Sequence, residues 1–160
     1  CEDVHVGALH ACAFPEGRFD AVVLNNVIEH LPDPAETIAE CARVLRPGGR
    51  LVLITPNIAA VAANIYGGDW RGLETPRHLH IFSRKALVGL VRAAGFAQIN
   101  AFTSAAGAGS MLDASAWIAK QAGHSVPLGR TRRRWLILKE TLLSRLGFSR
   151  GEAVIVIGTR

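Results

Sequence analysis

The chain has 160 residues, 49% of them hydrophobic, with three cysteines and a formal net charge of +5. This length suits one domain with a sizeable core, and the apolar fraction excludes global disorder. No apolar run reaches the roughly 20 residues that a membrane span needs, and the odd cysteine count without metal-ligand spacing favours reduced thiols in a cytoplasm.

The first predicted unit is a strand, a helix and a second strand. A short strand is also expected near the start, at Val4–Val6. Ala21–Leu24 is a short apolar run, typical of a buried parallel strand. Asp33-Pro34 provides an N-cap and a first helical residue, the turn at Pro47-Gly48-Gly49 ends the helix, and Arg50–Thr55 forms the next strand. A unit of this length predicts a crossover between parallel strands.

The second half of the chain predicts two more strands and further helices. A short helix ends at Gly67-Gly68, and a polar loop, Asp69–His80, leads into the next helix. Ala97–Thr103 and Ala153–Thr159 have the apolar pattern of strands. The residues between them, about 104–151, are expected to form a helical insertion.

Within that insertion, Gly123–Gly129 is a predicted linker, and Arg130–Leu146 is a predicted amphipathic helix. Its cations crowd the helix N-terminus, where they oppose the macrodipole. The cluster is either a solvated charge run or a binding surface for a phosphate-bearing acceptor, for an anionic membrane in a peripheral contact through 130–146, or for nucleic acid. Nucleic acid is disfavoured because no aromatic residues are interleaved with the arginines. One side of the helix carries four apolar residues: Trp135, Leu138, Leu142 and Leu146.

Three motifs, EHLPDP, RVLRPGG and PRHLHIFS, stand at spacings that resemble class I S-adenosylmethionine-dependent methyltransferases. The similarity is to the type 11/type 12 small-molecule group and covers Val4 to Thr103. It implies an α/β fold with a partial Rossmann-like sheet, in which strands 3, 4, 5, 7 and 6 of the family are present and the last strand is antiparallel, between strands 5 and 6. It also implies methyl transfer from S-adenosylmethionine to a small-molecule or envelope-linked acceptor.

The family's glycine-rich cofactor loop has no counterpart here, since no GxGxG motif occurs. We therefore expect residues 1–160 to form one truncated methyltransferase domain of a longer enzyme, with strands 1 and 2 missing, that is inactive alone. The strand at 21–24 would then lie at an open sheet edge, which predicts a homodimer through that edge or a rearranged N-terminal segment.

The resemblance implies five cofactor-binding residues: Ala8, Leu9, Asn25, Asn26 and Val27. The acidic residue that usually holds the adenine amino group falls at Ala8, so backbone groups near Ala8 and Leu9 must replace it. Asn25 to Val27 follow a strand, where ligands bind in open α/β sheets. The alternative is that the asparagines only shape a turn.

His30 and His78 are the candidate catalytic residues. Some relatives carry E-x-x-E-H with a later histidine and bind a divalent metal, whereas this chain has Asn26-x-x-Glu29-His30 with His78 or His80 downstream. The asparagine weakens a hard-cation site, so no metal ligand is assigned and a divalent cofactor is disfavoured. His30 can instead be a general base, or Glu29-His30 can belong to the loop's own hydrogen-bond network.

The polar loop supplies the expected acceptor contacts, which the family places over the active site: Trp70, Arg71, Arg77 and His80. The alternative is that Trp70 anchors the loop to the core and Arg77 is solvated. Two other classes of function stay open: a non-catalytic interaction domain descended from a methyltransferase, and an anionic-surface binder that uses the arginine-rich helix.

Overall fold

The computed structural model describes residues 3–125 and 129–160; Cys1 and part of the expected linker, including Pro127, lie outside the described residues. Within these ranges the chain forms one mixed four-stranded sheet and five α-helices. The strands are β1 (Phe19–Asn25), β2 (Leu45–Pro56), β3 (Gln98–Ser104) and β4 (Ala153–Thr159). The helices are α1 (Pro34–Val44), α2 (Val61–Tyr66), α3 (Arg84–Ala93), α4 (Ala108–Gln121) and α5 (Arg130–Arg145). None of the helices in the described ranges combines the length and hydrophobicity of a membrane span.

The first unit forms a strand, a helix and a strand, as the sequence predicts, but the predicted turn at Pro47-Gly48-Gly49 is wrong. β2 begins at Leu45 directly after α1, and these residues lie within it as an irregularity in the register with β1, where Gly48 adopts a φ of +77°. β1 and β2 pair in parallel, with Val22 opposite Leu51, and α1 connects them. Asp33 Oδ1 accepts the Glu36 N–H at 2.8 Å, which confirms the predicted N-cap. Cys41 on the inner face of α1 is buried, and burial raises the pKa of its thiol to about 12. Cys12 and Cys41 are both free thiols.

The strand order is β1-β2-β4-β3, and β4 is antiparallel to both of its neighbours. This confirms the prediction that the last strand inserts antiparallel between the two strands before it. Val154 and Val156 of β4 are fully buried in the main core. The sheet therefore depends on a strand from the end of the chain, whose antiparallel ladder joins β3 to the parallel pair.

The prediction of a strand at Val4–Val6 is wrong. These residues are irregular and exposed, because such a short apolar run finds no ladder partner among the described strands. A 3₁₀ turn at Leu9–Cys12 packs instead beside α1. β1 pairs only with β2 in the described ranges, and Val23 is 59% exposed at the sheet edge. The homodimer through this edge stays a prediction.

Both helices between β3 and β4 pack on a second apolar cluster. α4 begins at Ala108, directly after Gly107, which has a φ of +85°. Leu112 of α4 and Leu136 of α5 lie beside Trp70 in this cluster. Arg133 on α5 forms two 2.6 Å hydrogen bonds with the Asp113 carboxylate on α4, which holds the two helices together.

Two carboxyl groups are buried beneath α5. The side chains of Glu140 and Glu152 have no hydrogen-bond partner among the described residues. Burial raises the pKa of Glu140 to about 8, and the nearby Glu152 adds to that rise. Burial also raises the pKa of Glu152 to about 7, and the nearby N–H groups of Ala62 and Trp70, which lie outside hydrogen-bond geometry, oppose that rise only in part. Both groups are therefore protonated in the folded chain at mildly acidic pH.

This pair makes folding stability depend on pH. Below about 4.5, the ordinary pKa of Glu, the folded and unfolded chains both keep these protons. As pH rises towards 7 to 8, the unfolded chain has lost its protons while the folded chain still holds them, so stability falls. We expect Glu140→Gln to raise the free energy of unfolding at pH about 8 by about 1 kcal/mol or more, with little change at pH about 5.

Urea unfolding at both pH values measures this effect, with Glu36→Gln as the control because Glu36 is an exposed carboxylate on α1. A Glu140→Gln variant with the pH dependence of the parent chain would show that Glu140 is ionised in the fold.

Candidate functional site

The site lies where β1 and β2 end at the same edge of the sheet. Asn26 follows β1 with its N–H bonded to the Ile54 carbonyl of β2 at 2.9 Å. Its φ of +51° is in the left-handed region, which asparagine tolerates better than most residues. A 3₁₀ turn, Ile28–His30, comes next. The tight turn brings Glu29 and His30 back against the end of β2.

Glu29 joins three segments of this site. Its carboxylate is fully buried, and Oε2 accepts the Thr55 hydroxyl of β2 at 3.0 Å. Its backbone carbonyl accepts the N–H groups of Leu79 and His80 at 2.8 and 3.1 Å. Glu29 Oε1 has no hydrogen-bond partner within the described residues. One residue thus ties the turn after β1 to β2 and to the 69–80 loop, and keeps one acceptor atom unused.

The two candidate catalytic histidines are brought together. Their rings lie 4.7 Å apart between centroids, in an edge arrangement. His30 Nδ1 lies 2.8 Å from the Arg77 carbonyl, and His78 Nδ1 lies 2.7 Å from the Gly72 carbonyl. A carbonyl oxygen only accepts, so Nδ1 carries the hydrogen on each ring, and in the neutral form each Nε2 keeps its lone pair.

Glu29, His30 and His78 each offer one ligand atom, and these atoms lie within 4.8 Å of one another. Each histidine also has its other ring nitrogen fixed by a backbone carbonyl, the arrangement that commonly orients metal-binding imidazoles. His80 is not part of this group, because its Nε2 lies 3.4 Å from the Pro32 carbonyl and its ring stacks on Phe82. The structure therefore distinguishes the two downstream histidines that the motif left open.

The two arginines of the loop converge on Glu74, a residue that the sequence analysis did not single out. Arg71 and Arg77 reach its carboxylate at 2.8 and 2.9 Å. The Arg71 hydrogen bond holds the pKa of Glu74 below its ordinary value, and Arg77 adds a smaller effect. The i, i+3 spacing of the three residues is a signal of this pairing in the sequence.

These side chains line a polar cavity of about 240 Å³. Its lining residues come from the turn after β1, the end of β2, the 69–80 loop and α4: Asn26, Glu29, His30, Pro56, Arg71, Gly72, Glu74, Arg77, His78 and Met111. We call this space the polar cavity. Met111 was missed by sequence analysis, since nothing in its neighbourhood indicates a site.

Trp70 is buried in the second core cluster, where the anchoring interpretation expects it. A Cβ on Gly72 would lie 2.2 Å from the Trp70 ring, so the close approach requires glycine. The indole therefore positions the loop that carries Arg71 and His78. A contact between Trp70 and an acceptor stays a prediction.

A second cavity, of about 380 Å³, lies on the α1 side of β1. Three of the five expected cofactor residues, Ala8, Leu9 and Val27, line it beside the apolar side chains of Leu24 and Leu31. We call this space the apolar groove. Asn26 lines the polar cavity instead, and its side-chain amide donates to Asn25 Oδ1 at 3.2 Å. Asn25 lines neither of the two cavities.

Residues 2–101 match a family model described as a methyltransferase domain. A ubiquinone biosynthesis O-methyltransferase of Xanthomonas oryzae is 44% identical over 66 residues, which are 40% of this chain and 28% of that protein. A probable S-adenosylmethionine-dependent methyltransferase of Mycolicibacterium smegmatis is 36% identical over 97 residues, covering 59% of this chain and 35% of that protein. The chain thus spans about a third of the length of these relatives.

A solved S-adenosylmethionine-dependent methyltransferase from Thermotoga maritima has a similar fold. It superposes with a TM-score of 0.61 at 17% identity, over 96% of this chain and 61% of that one. At this identity the likeness concerns the α/β fold and its mixed sheet.

Loss of the Glu29–Thr55 hydrogen bond should lower the free energy of unfolding by a measurable amount. Thr55→Val keeps the side-chain shape but leaves both Glu29 oxygens without a partner, so we expect a loss of about 1–3 kcal/mol in the free energy of unfolding. Thr141→Val is the matched control, because that hydroxyl only donates to the Ile137 carbonyl inside α5. Equal losses for the two variants in urea unfolding would contradict the role given to Thr55.

Proposed function

This chain belongs to the methyltransferase domain family, and on that premise we propose that it is part of an enzyme that methylates a small-molecule or envelope-linked acceptor with S-adenosylmethionine. The supporting observation is that consecutive residues after β1 line different cavities. Val27 lines the apolar groove, and Asn26 lines the polar cavity. Methyl transfer needs donor and acceptor to meet at one point, so we assign the cofactor to the groove and the acceptor to the polar cavity.

In this proposal the apolar groove receives the adenine end of the cofactor. Leu24 and Leu31 provide apolar walls, and the backbone near Ala8 and Leu9 provides the hydrogen bonds that an acidic side chain gives elsewhere in the family. The side-chain amides of Asn25 and Asn26 then face the methionine part, since they lie at the carboxyl end of the strand.

In the polar cavity, the side chains position the acceptor and form no covalent bond with it. Methyl transfer by direct displacement depends mainly on alignment of the acceptor atom with the sulfonium methyl group, with at most one base for a hydroxyl. The Nε2 atoms of His30 and His78 are suited to take that proton, because a carbonyl holds each Nδ1–H. Arg71 and Arg77 share one carboxylate, Glu74, and their remaining N–H groups can donate hydrogen bonds to a hydroxylated or anionic acceptor.

We further infer that the chain by itself holds the cofactor weakly, because the groove lacks the family's glycine-rich loop and an acid at Ala8. The alternative is a non-catalytic interaction domain derived from a methyltransferase. The two readings differ in whether the groove recognises adenine.

Ala8→Asp tests this assignment by restoring the acid that the family uses. If the groove binds adenine, the variant should bind S-adenosylhomocysteine about 3- to 10-fold more tightly than the parent, the value of one added hydrogen bond. Ligand-observed NMR titration measures the weak affinities expected.

Ala11→Asp is the matched control, since Ala11 lies on the same 3₁₀ turn outside the groove lining. Equal affinities of the two variants would reject the assignment of adenine to the groove and favour the non-catalytic domain.

A second candidate is a divalent-cation site formed by Glu29, His30 and His78. The sequence analysis assigned no metal because Asn26 replaces a carboxylate. Two observations nevertheless fit a metal: the orphaned, buried Oε1 of Glu29, and two imidazoles whose Nδ1 atoms are both fixed by carbonyls. A bound cation would polarise an acceptor hydroxyl. Two imidazoles and one carboxylate suit Mn²⁺, Fe²⁺ or Zn²⁺ better than Mg²⁺.

Calorimetric titration with Zn²⁺ and Mn²⁺ tests this candidate. We expect His78→Gln to weaken binding at least about tenfold, because it removes one ligand atom. His80→Gln should leave the affinity unchanged, because His80 lies outside the group. Equal loss in both variants, or no binding by the parent chain, would leave His30 and His78 with only the base or structural role.

A further inference from the structure

We propose that the outward face of α5 is a docking surface for an anionic lipid membrane, on which the helix lies parallel to the membrane plane. This surface lies outside both cavities and is independent of the methyl-transfer proposal. It consists of an apolar row, flanked on both sides by cations, on a helix whose opposite side is held by the rest of the fold.

The apolar row is exposed to an unusual degree. Trp135, Leu138, Leu142 and Leu146 are between 55 and 66% exposed. At about 100° per residue they span roughly 80° of the helix circumference, so they form one continuous stripe. Phe148, just beyond the helix, is 56% exposed and extends the apolar surface. Contiguous apolar side chains of this size on a surface indicate an interaction site.

Cations border the stripe on both sides. By helical geometry, Arg132 and Lys139 lie on one side of it and Arg134 and Arg145 on the other. All four are exposed, and none forms an ion pair within residues 3–125 and 129–160. Lys139 Nζ lies 5.2 Å from the centre of the Trp135 ring. The single acid of the helix, Glu140, is buried on the opposite side.

The inner side of α5 stays packed while the outer face is free. Leu136 packs into the cluster around Trp70, and Arg133 is bonded to Asp113 of α4. The helix can therefore present its outer face without unfolding.

The charge pattern selects the occupant. An anionic membrane accepts apolar side chains at the depth of its acyl boundary, and its head groups pair with the flanking cations. A second copy of the helix would bring like charges together, because the outer face has no acid to pair with them. A nucleic acid would pair with the cations but would leave the leucines in water, since stacking on bases needs aromatic rings.

Vesicle sedimentation of the 160-residue chain tests the proposal. We expect binding to phosphatidylcholine vesicles that contain about 30% phosphatidylglycerol at about 0.1 M salt, weakening several-fold at about 0.5 M salt. Pure phosphatidylcholine vesicles should bind much less. A blue shift of tryptophan fluorescence that is lost in Trp135→Phe should accompany binding.

Two double variants separate the charged and apolar contributions. Lys139→Glu/Arg145→Glu should lower vesicle affinity at least about tenfold, whereas Lys85→Glu/Arg92→Glu on α3, with the same change in net charge, should have a much smaller effect. Leu138→Gln/Leu142→Gln should also lower it about tenfold or more. Val4→Gln/Val6→Gln is its control, because both valines are exposed and lie outside α5.

Circular dichroism confirms that each variant folds. Equal binding to neutral and anionic vesicles, equal effects of the α3 and α5 charge variants, or unchanged binding of Leu138→Gln/Leu142→Gln would overturn the proposal. So would binding to polyuridylate tighter than to vesicles, or a dimer of the parent chain that Leu138→Gln/Leu142→Gln dissociates in sedimentation velocity.

Discussion

The buried side chain of Glu29 is the constraint on which the candidate site depends. Its carboxylate holds Thr55 of β2, while its carbonyl holds the N–H groups of Leu79 and His80. A buried carboxyl group needs hydrogen-bond partners, and Thr55 provides one for Oε2, while Oε1 has none within the described residues. The turn after β1, the end of β2 and the polar loop are therefore fixed relative to one another by a single residue. His30 and His78 meet as a consequence of this arrangement. His30 directly follows Glu29, and His78 directly precedes Leu79, whose N–H bonds the Glu29 carbonyl.

The parallel pairing of β1 with β2 makes this convergence available. In a parallel pair both strands end at one edge, so the residues that follow each strand become neighbours although they are some thirty positions apart in sequence. β4 pairs with the other side of β2 in the antiparallel direction. The amino end of β4, and not its carboxyl end, therefore lies at that edge. The result is an edge at which Asn26 and Val27 face two different cavities. A transfer reaction needs that kind of division between a donor side and an acceptor side.

Local signals in the sequence predicted the strands, the Asp33 cap and the order of the last three strands, because these depend on periodicity, capping and family resemblance. Contacts between distant segments were harder to predict. Nothing local distinguishes His78 from His80, because the contacts that place the His78 ring, such as its hydrogen bond with the Gly72 carbonyl, come from outside the motif. Val4–Val6 has the composition of a strand but no strand beside it to pair with, so its β propensity does not produce a strand. Glu140 looks like an ordinary exposed acid, yet it faces inward because Trp135 and the leucines face outward.

The orientation of α5 differs from the one that burial of apolar side chains alone would favour. An apolar row of one tryptophan and three leucines should turn inward if burial of apolar area were the only effect. The observed helix instead buries Leu136 together with Glu140 and bonds Arg133 to Asp113. At mildly acidic pH the raised pKa of Glu140 makes this burial less costly, since the carboxyl is neutral. The outward stripe then has no packing partner in the described chain, and a hydrated apolar surface bordered only by cations is most stable against an anionic, partly apolar medium. The same helix is packed on α4, whose Met111 lines the polar cavity.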